Sequence, residues 1–192
     1  MLLSERLDLI KPKILEPRFL TGRGMANEIN YWIFEYPSED EMQVRSYVQY
    51  LVNNINGSQD NIRIKCFDLY VLMMEVLHEK NYLDKVKQME KSKGSTAIIN
   101  PIKKTLRLTE DEDMVIEKIA EGITSEKDVA FIVGVGKVWP IIRSHTILNN
   151  LHLRGKVEKN PLVMFFPGEY TNELKLFGEI THDNYYRALK LV

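Results

Sequence analysis

The chain has 192 residues, of which 44% are hydrophobic and 28% charged, and its formal net charge at pH 7 is -1. A chain of this size and composition can bury a core of its own, which predicts one domain over residues 1–192 and argues against long disorder. The near-neutral balance shows no basic stripe, so direct sequence-specific binding of nucleic acid is not expected.

The cysteine content and the N-terminus indicate where the protein works. Cys66 is the single cysteine and cannot pair within the chain, which excludes an internal disulfide and fits a reducing cytoplasm. The N-terminal run MLLSERLDLIKPK carries charges where a signal peptide would be apolar, and no apolar run reaches membrane-spanning length. We therefore expect a cytoplasmic protein with no membrane contact.

Strand and helix signals alternate through residues 1–78. Pro12 is expected to interrupt or kink an amphipathic first helix. Ser38 and Glu41 have the spacing of a capping box, which predicts a helix after Pro37. The other predicted elements are a helix from Ser4 to Leu15, a strand from Ile29 to Tyr36, a strand from Ile62 to Phe67 and a helix from Leu69 to His78.

The rest of the chain adds a charged helical segment and further strands. Residues 79–127 are predicted to form an insertion of two or three helices, whose charges solvate its surface. Strands that are apolar on both faces and alternate with helices predict a three-layer α/β sandwich with a mostly parallel sheet, Rossmann-like or P-loop-like in topology. The predicted elements after the insertion are a strand from Val129 to Val133, a helix from Val138 to Leu151, a strand from Leu162 to Phe166 and a closing strand within Tyr185 to Val192.

The segment FIVGVGKVWP, residues 131–140, looks like a phosphate-binding turn but lacks the essential residues. A P-loop requires glycine five residues before Gly136 and serine or threonine after Lys137, where this chain has Phe131 and Val138. The dinucleotide fingerprint requires a third glycine where this chain has Trp139. The turn is therefore predicted as a strand-to-helix connector, with a phosphate cradle as the weaker alternative, and no cofactor-binding residue is predicted.

The helix after this turn, with Pro140 predicted in its first turn, carries two polar residues on its apolar face. These are His145 and Asn149, whereas Arg143 and Asn150 point the other way. Buried imidazole and amide groups need hydrogen-bond partners, so His145 and Asn149 are predicted to form a structural polar core. A histidine base or metal ligand is the alternative, although no second histidine or cysteine stands at ligand spacing.

Three carboxylates lie near predicted strand ends, where open α/β sheets gather their functional loops. Glu35, Asp68 and Glu169 would hold Mg²⁺ for phosphoryl chemistry if they converged. Acidic helix caps are common at strand ends, and Asp68 before LYVLMMEVLH has the position of one. The capping interpretation is preferred, so no catalytic residue and no metal ligand is predicted.

Polar and aromatic residues in the predicted turns and at the C-terminus form a candidate interaction surface. Tyrosine and arginine are enriched among interface anchors, although strand alternation would pack one of the two C-terminal tyrosines inward. The candidate residues are Lys137, Arg143, Asn150, Gly168, Glu169, Tyr170, Tyr185 and Arg187.

Four segments together resemble the BrxB family of BREX bacteriophage-exclusion systems: GRGMANEINYWIFEY, FIVGVGKVWPIIRSHTILNNL, VMFFPGEY and DNYYRALKLV. The similarity runs from the N-terminal helix to the last residue, and its specific parts are the glycine turn with R-S-H and N-N, and P-G-E-Y. The resemblance implies a cytoplasmic, non-catalytic adaptor in a multi-protein antiviral system, with no catalytic residue to carry over.

The resemblance also implies partners, namely the PglZ-type protein of the same system and the large ATPase. A homodimer is a further expectation, which rests only on how common twofold assemblies are. The alternative function is a metal-dependent phosphoryl-transfer or nuclease enzyme, with its carboxylates at the sheet edge. A third hypothesis, DNA binding by basic loops, is disfavoured by the near-neutral charge balance.

Overall fold

The computed structural model describes residues 1–21, 30–108, 112–153, 160–171, 173–181 and 188–192. The strands in these ranges are β1 (Tyr31–Tyr36), β2 (Arg63–Asp68), β3 (Asp128–Val133), β4 (Leu162–Tyr170), β5 (Leu174–Leu176), β6 (Ile180–Thr181) and β7 (Leu189–Lys190). Five of them pair in parallel in the order β2-β3-β4-β1-β7. The short strands β5 and β6 extend β4 as an antiparallel hairpin.

Helices cover both faces of this sheet. Those in the described ranges are α1 (Leu3–Asp8), α2 (Ile10–Ile14), α3 (Pro17–Thr21), α4 (Glu41–Asn56), α5 (Leu69–Glu79), α6 (Leu83–Lys93), α7 (Ile99–Leu106), α8 (Met114–Gly122), α9 (Val135–Val138) and α10 (Ser144–Leu153). Helices α1 to α4 pack against one face, and α5 to α10 pack against the other. The predicted three-layer α/β architecture with a mostly parallel sheet is confirmed.

The strands supply apolar side chains to both layers because successive residues point to opposite faces. In β1, Ile33 joins the core beneath α5 to α10, whereas the next residue, Phe34, joins the core beneath α1 to α4. The rings of Phe34 and Phe131 each pack against Phe165 of β4, at centroid distances of 5.6 and 5.1 Å. The strand order itself differs from that of the dinucleotide-binding Rossmann fold.

Proline accounts for where two of the predicted helices break. The first helix breaks at Leu9 instead of Pro12, so Pro12 lies in the first turn of α2, where its missing N–H has no helical partner. The helix predicted from Val138 to Leu151 is two helices, α9 and α10. Pro140 follows a cis peptide bond and lies between them, outside either helix.

Two further differences concern the residues that begin α4 and end β4. The predicted capping box does not form, since Asp40 is the N-cap of α4 and its side chain makes no capping hydrogen bond. Strand β4 does not stop at Phe166 but continues through Gly168 to Tyr170, paired with β5. The closing strand is present as β7, which pairs with β1, while residues 182–187 lie outside the described residues.

The charged segment 79–127 provides part of the main core as well as surface. Helices α7 and α8 bury Ile102, Leu106, Ile116 and Ile119 in the same apolar cluster as α5. Asp113 caps α8 by accepting hydrogen bonds from the backbone N–H groups of the following turn. The segment is therefore part of the helical layer on its face of the sheet.

Candidate functional site

The carboxyl ends of β1 to β4 lie at one edge of the sheet, where two cavities adjoin. The first, here called the α4 groove, has a volume of about 230 Å³ and lies between the first three turns of α4, from Glu41 to Val52, and the strand ends. The second, here called the strand-end hollow, has a volume of about 330 Å³ and lies beside β4 and the turn after β5. Tyr36, the last residue of β1, lines both. This edge is where parallel α/β sheets present their functional loops.

The glycine turn that follows β3 is shaped around a carboxylate of the neighbouring strand. Gly134 has φ +75°, and a Cβ there would lie 2.5 Å from Oδ1 of Asp68, so only glycine fits. Asp68 ends β2 and caps α5, its Oδ1 accepting from the backbone N–H of Tyr70 at 2.9 Å and of Val71 at 3.4 Å. Its Oδ2 accepts from Nζ of Lys137. The lysine of the turn is thus engaged by a protein carboxylate.

A second ion pair lies at the mouth of the α4 groove. The hydroxyl of Tyr36 donates to Glu41 at 2.5 Å, and Arg45 donates to the other oxygen of Glu41 at 3.0 Å. Burial raises the pKa of Tyr36 far above its usual value, and the hydrogen bond and charge of Glu41 add to the rise. Glu41, which sequence reasoning assigned to a capping box, therefore joins the end of β1 to the first turn of α4.

Cys66 is exposed at the wall of the α4 groove, and its surroundings raise the pKa of its thiol. Desolvation by the surrounding protein raises its pKa to about 11, the nearby Asp68 carboxylate adds to the rise, and Lys137 opposes it. Because only the thiolate is a good nucleophile, this environment does not activate the side chain. Its contribution to the groove is apolar surface.

Glu35 is the carboxylate at the end of β1, and its partners come from distant parts of the chain. One oxygen accepts from the backbone N–H of Tyr170, and the other accepts from Nζ of Lys190. Glu169 is exposed on the extension of β4. Within the described residues no three histidine, cysteine, aspartate or glutamate side chains form a group that could hold a metal ion. Glu35, Asp68 and Glu169 therefore do not converge as the enzyme hypothesis requires.

The structure distributes the predicted interaction residues unevenly. Lys137 lines the α4 groove, and Gly168 and Glu169 line the strand-end hollow. Tyr170 is buried at 2% exposure and its hydroxyl donates to the carbonyl of Ala188, so it supports the fold and offers no surface. Arg143 is exposed between α9 and α10 and does not line either cavity. Tyr185 and Arg187 lie outside the described residues.

The two asparagines of α10 are placed opposite to the prediction. Asn149 is exposed, whereas Asn150 is half-buried and donates to the carbonyl of Leu108 at 3.3 Å and to Asp113 at 3.0 Å. His145 is half-buried. The asparagines differ from the prediction because the helix breaks after α9. The orientation of α10 about its axis is then set by its own buried residues, Ile147, Leu148 and Leu151. The polar tie between α10 and α8 is therefore made by Asn150.

Sequence reasoning did not identify Arg45, Lys190 or Asp113 as members of these networks. Asp113 had a readable signal, since an aspartate directly before the apolar run of α8 has the position of an N-cap. Arg45 also had one, as it lies four residues after Glu41 on a helix. Lys190 had none, because its partner is 155 residues away.

The comparisons with known proteins agree with the resemblance noted in the sequence. The family model described as "BREX protein BrxB" matches residues 65–191. The chain belongs to the BrxB family. A relative from Bacillus cereus (strain H3081.97), also described as BREX protein BrxB, is 49% identical over 99% of this chain and 97% of its own length. Another from Escherichia coli O9:H4 (strain HS) is 30% identical over 99% of this chain and 92% of its own.

Membership of the BrxB family makes the chain a component of a BREX antiviral defence system. No solved structure matches it. In the part of the chain that the structure describes, no helix has both the length and the apolar character needed to cross a membrane.

Proposed function

We propose that the protein acts in its BREX system as a non-catalytic adaptor in the cytoplasm, which binds other proteins of the system and holds them together. The observation that carries the proposal is how the charged groups are used at the carboxyl edge of the sheet. Enzymes with parallel sheets keep acids, bases and metal ligands available there. In this chain Asp68 and Glu35 instead bond backbone N–H groups and lysines of their own fold.

The polar groups of this edge therefore contribute to a fixed surface. Asp68 attaches α5 and the glycine turn to β2, and Glu35 attaches β4 and β7 to β1. Such bonds hold two open cavities in constant shape, which is the property that a binding surface needs. The partners we propose are the PglZ-type protein of the same system and, as a second contact, the large ATPase.

The test is an affinity purification of the tagged protein from cells that express the whole defence island, at moderate salt and with nuclease present. We expect the PglZ-type protein in near-stoichiometric amount by mass spectrometry, with the ATPase as a further component. The same complex should form from purified proteins at micromolar concentration. Recovery of the tagged protein alone in both experiments would overturn the adaptor proposal.

A matched chemical test addresses catalysis directly. The purified protein is incubated with Mg²⁺ or Mn²⁺ and with nucleotide and nucleic-acid substrates, beside a Glu169→Ala variant. The adaptor proposal predicts no turnover by either protein. Metal-dependent turnover that disappears in Glu169→Ala would contradict it and favour the phosphoryl-transfer or nuclease alternative.

A further inference from the structure

The α4 groove has the shape and lining of a pocket for one apolar side chain. Val44, Val48 and Val52 of α4 face Val133 and Phe165 of the sheet across it. Its volume of about 230 Å³ is smaller than the about 300–1,000 Å³ of typical small-molecule sites. Pockets that receive a single buried anchor are the places where protein interfaces concentrate their binding energy.

The charges at the mouth of the groove are already compensated. Glu41 pairs with Arg45, and Asp68 pairs with Lys137, so each carboxylate there faces a cation of the same protein. A charged ligand entering the groove would have to replace one of these pairs and lose its own hydration. An uncharged apolar group displaces only water from apolar walls, and this term favours binding.

The adjoining strand-end hollow has the opposite character, because its charge is not balanced. Glu35 is paired with Lys190, but within the described residues no cation lies at ion-pair distance from Glu39 or Glu169. The remaining cation of the hollow, Arg6, stacks over the ring of Phe34, 4.9 Å from its centroid. Among the described residues, three carboxylates and one guanidinium line the hollow, and Lys175 lies opposite Glu169 in the β4–β5 pair without reaching ion-pair distance. The described lining therefore has a net negative charge, which is complementary to a basic group.

Phe177 lies at the boundary of the hollow and adds an aromatic surface to it. Its side chain is 39% exposed, and its ring packs against the glycine turn, 3.0 Å from where a Cβ on Gly136 would lie. A guanidinium group placed between the hollow's carboxylates and this ring would gain both ionic and cation–π attraction. Arginine therefore suits the hollow better than lysine.

We propose that the carboxyl edge binds one segment of a partner protein, which inserts an aromatic or branched apolar side chain into the α4 groove and places a nearby arginine in the strand-end hollow. The proposal rests on the adaptor function, and it names the surface and the chemistry of the partner. Because Tyr36 lines both cavities, we expect one continuous segment to reach from one to the other. The apolar anchor supplies affinity, and the arginine fixes orientation.

The test uses a filled groove and a matched control on the same helix. Gln49 is exposed and lines the groove, whereas Gln43 is exposed and lies outside its lining, so Gln49→Trp and Gln43→Trp add the same side chain at a surface position. Both variants should fold with unchanged circular dichroism. The probe is an array of synthetic overlapping peptides that covers every protein of the defence island, including this chain.

We expect the wild-type protein and Gln43→Trp to bind the same few peptides, each with an apolar residue close to an arginine. Gln49→Trp should bind those peptides about tenfold more weakly or worse. Replacement of the arginine by alanine in a bound peptide should weaken binding several-fold, and so should Glu39→Gln with Glu169→Gln in the protein. The losses caused by removing the peptide arginine or the two carboxylates should become smaller at high salt, because salt screens charge interactions at the surface.

The outcomes separate the surface from the adaptor function. If the PglZ-type protein or the ATPase co-purifies but the bound peptides are indifferent to Gln49→Trp, the adaptor proposal stands and this surface is wrong. Binding only of peptides from this chain would assign the groove to a second copy and overturn the partner proposed. The inference is also overturned if no peptide of the array binds and the full-length partners bind Gln49→Trp as well as they bind the wild-type protein. Absence of every full-length partner overturns the adaptor function itself.

Discussion

Asp68 and Glu35 occupy equivalent places in the fold but obtain their partners in different ways. Each lies at the carboxyl end of a parallel strand, each accepts a backbone hydrogen bond, and each pairs with a lysine. The backbone partners of Asp68 are two and three residues ahead, in the first turn of α5. The partners of Glu35 are 135 and 155 residues away.

The comparison shows why one carboxylate could be interpreted from sequence and the other could not. A helix cap is a local motif, since the chain that supplies the acceptor also supplies the donors a few residues later. The bonds of Glu35 exist only once β4 and β7 have paired on either side of β1. Breaking each set of contacts should therefore affect stability to a different degree.

The largest effect is expected at Gly168, in the part of β4 that leads to the N–H bonded by Glu35. A Cβ at this position would lie 2.1 Å from the carbonyl oxygen of Lys175, and the residue has φ +154°. Gly168→Ala should therefore lower the free energy of unfolding by about 2–4 kcal/mol, from steric overlap and backbone strain together. Urea denaturation measures it.

Gly94→Ala is the matched control. Gly94 has φ +82°, but a Cβ added to it would meet no atom within 4 Å among the described residues beyond its chain neighbours. The variant should show the cost of the left-handed backbone alone, about 1 kcal/mol. Equal losses in the two variants would mean that the close approach of β5 to Gly168 contributes nothing.

The next largest effects on the free energy of unfolding are expected at the two carboxylates, Glu35 and Asp68. Glu35→Ala removes the carboxylate that accepts from the backbone N–H of Tyr170 and from Nζ of Lys190, which should cost about 2 kcal/mol. Asp68→Ala removes a helix cap and should cost about 1 kcal/mol. Asp68→Asn keeps an oxygen that can cap and should recover most of that loss.

Thermal and urea unfolding of the three variants test this order. A larger loss in Asp68→Ala than in Glu35→Ala would show that the local cap outweighs the contacts between strands. Failure of Asp68→Asn to recover stability would assign the role of Asp68 to its charge.

The two lysines should contribute less than the carboxylates that they pair with. The side chains of Lys137 and Lys190 are 30% and 48% exposed, and exposed ion pairs are worth about 1 kcal/mol or less. Lys137→Met and Lys190→Met should each lower stability by no more than that, and Lys137→Met by the larger amount. Added salt should reduce both differences, and losses that persist at high salt would indicate packing by the lysine stems.

The last prediction concerns the reactivity of the Cys66 thiol and is measured as a reaction rate instead of a free energy of unfolding. With its pKa raised to about 11, Cys66 should react with a disulfide reagent at pH 8 on the order of tenfold to a hundredfold slower than a peptide thiol. The rate should rise with pH until the thiol is ionised. Asp68→Asn should lower the pKa of Cys66 and speed the reaction, whereas Lys137→Met should slow it.

Stopped-flow rates against pH for wild type and the two variants check this prediction. Glu35→Gln provides the control, because Asp68 and Lys137 are the charged groups that shift the pKa of Cys66, and Glu35 is not among them. A rate as fast as that of a free peptide thiol would show that the groove does not desolvate Cys66.

The sequence by itself determined the layers, the direction of the sheet and the family. Strands that are apolar on both faces and alternate with helices bury both faces in a parallel sheet that helices cover on each side. The structure confirms this arrangement. The cap made by Asp68 was also readable, because its donors follow within three residues. The failed nucleotide motifs at Gly134 to Lys137 were visible from residue identity alone.

Tertiary structure decided everything that depends on contacts across the chain. Pairing of β4 with β1, and of β7 with β1, brings Tyr170 and Lys190 to Glu35, and local patterns contain no record of such pairing. The packing of α10 decided that Asn150 faces inward and Asn149 outward, since the break near Pro140 resets the helix. The two cavities that share Tyr36 likewise arise only when α4, four strand ends and the turn after β5 come together.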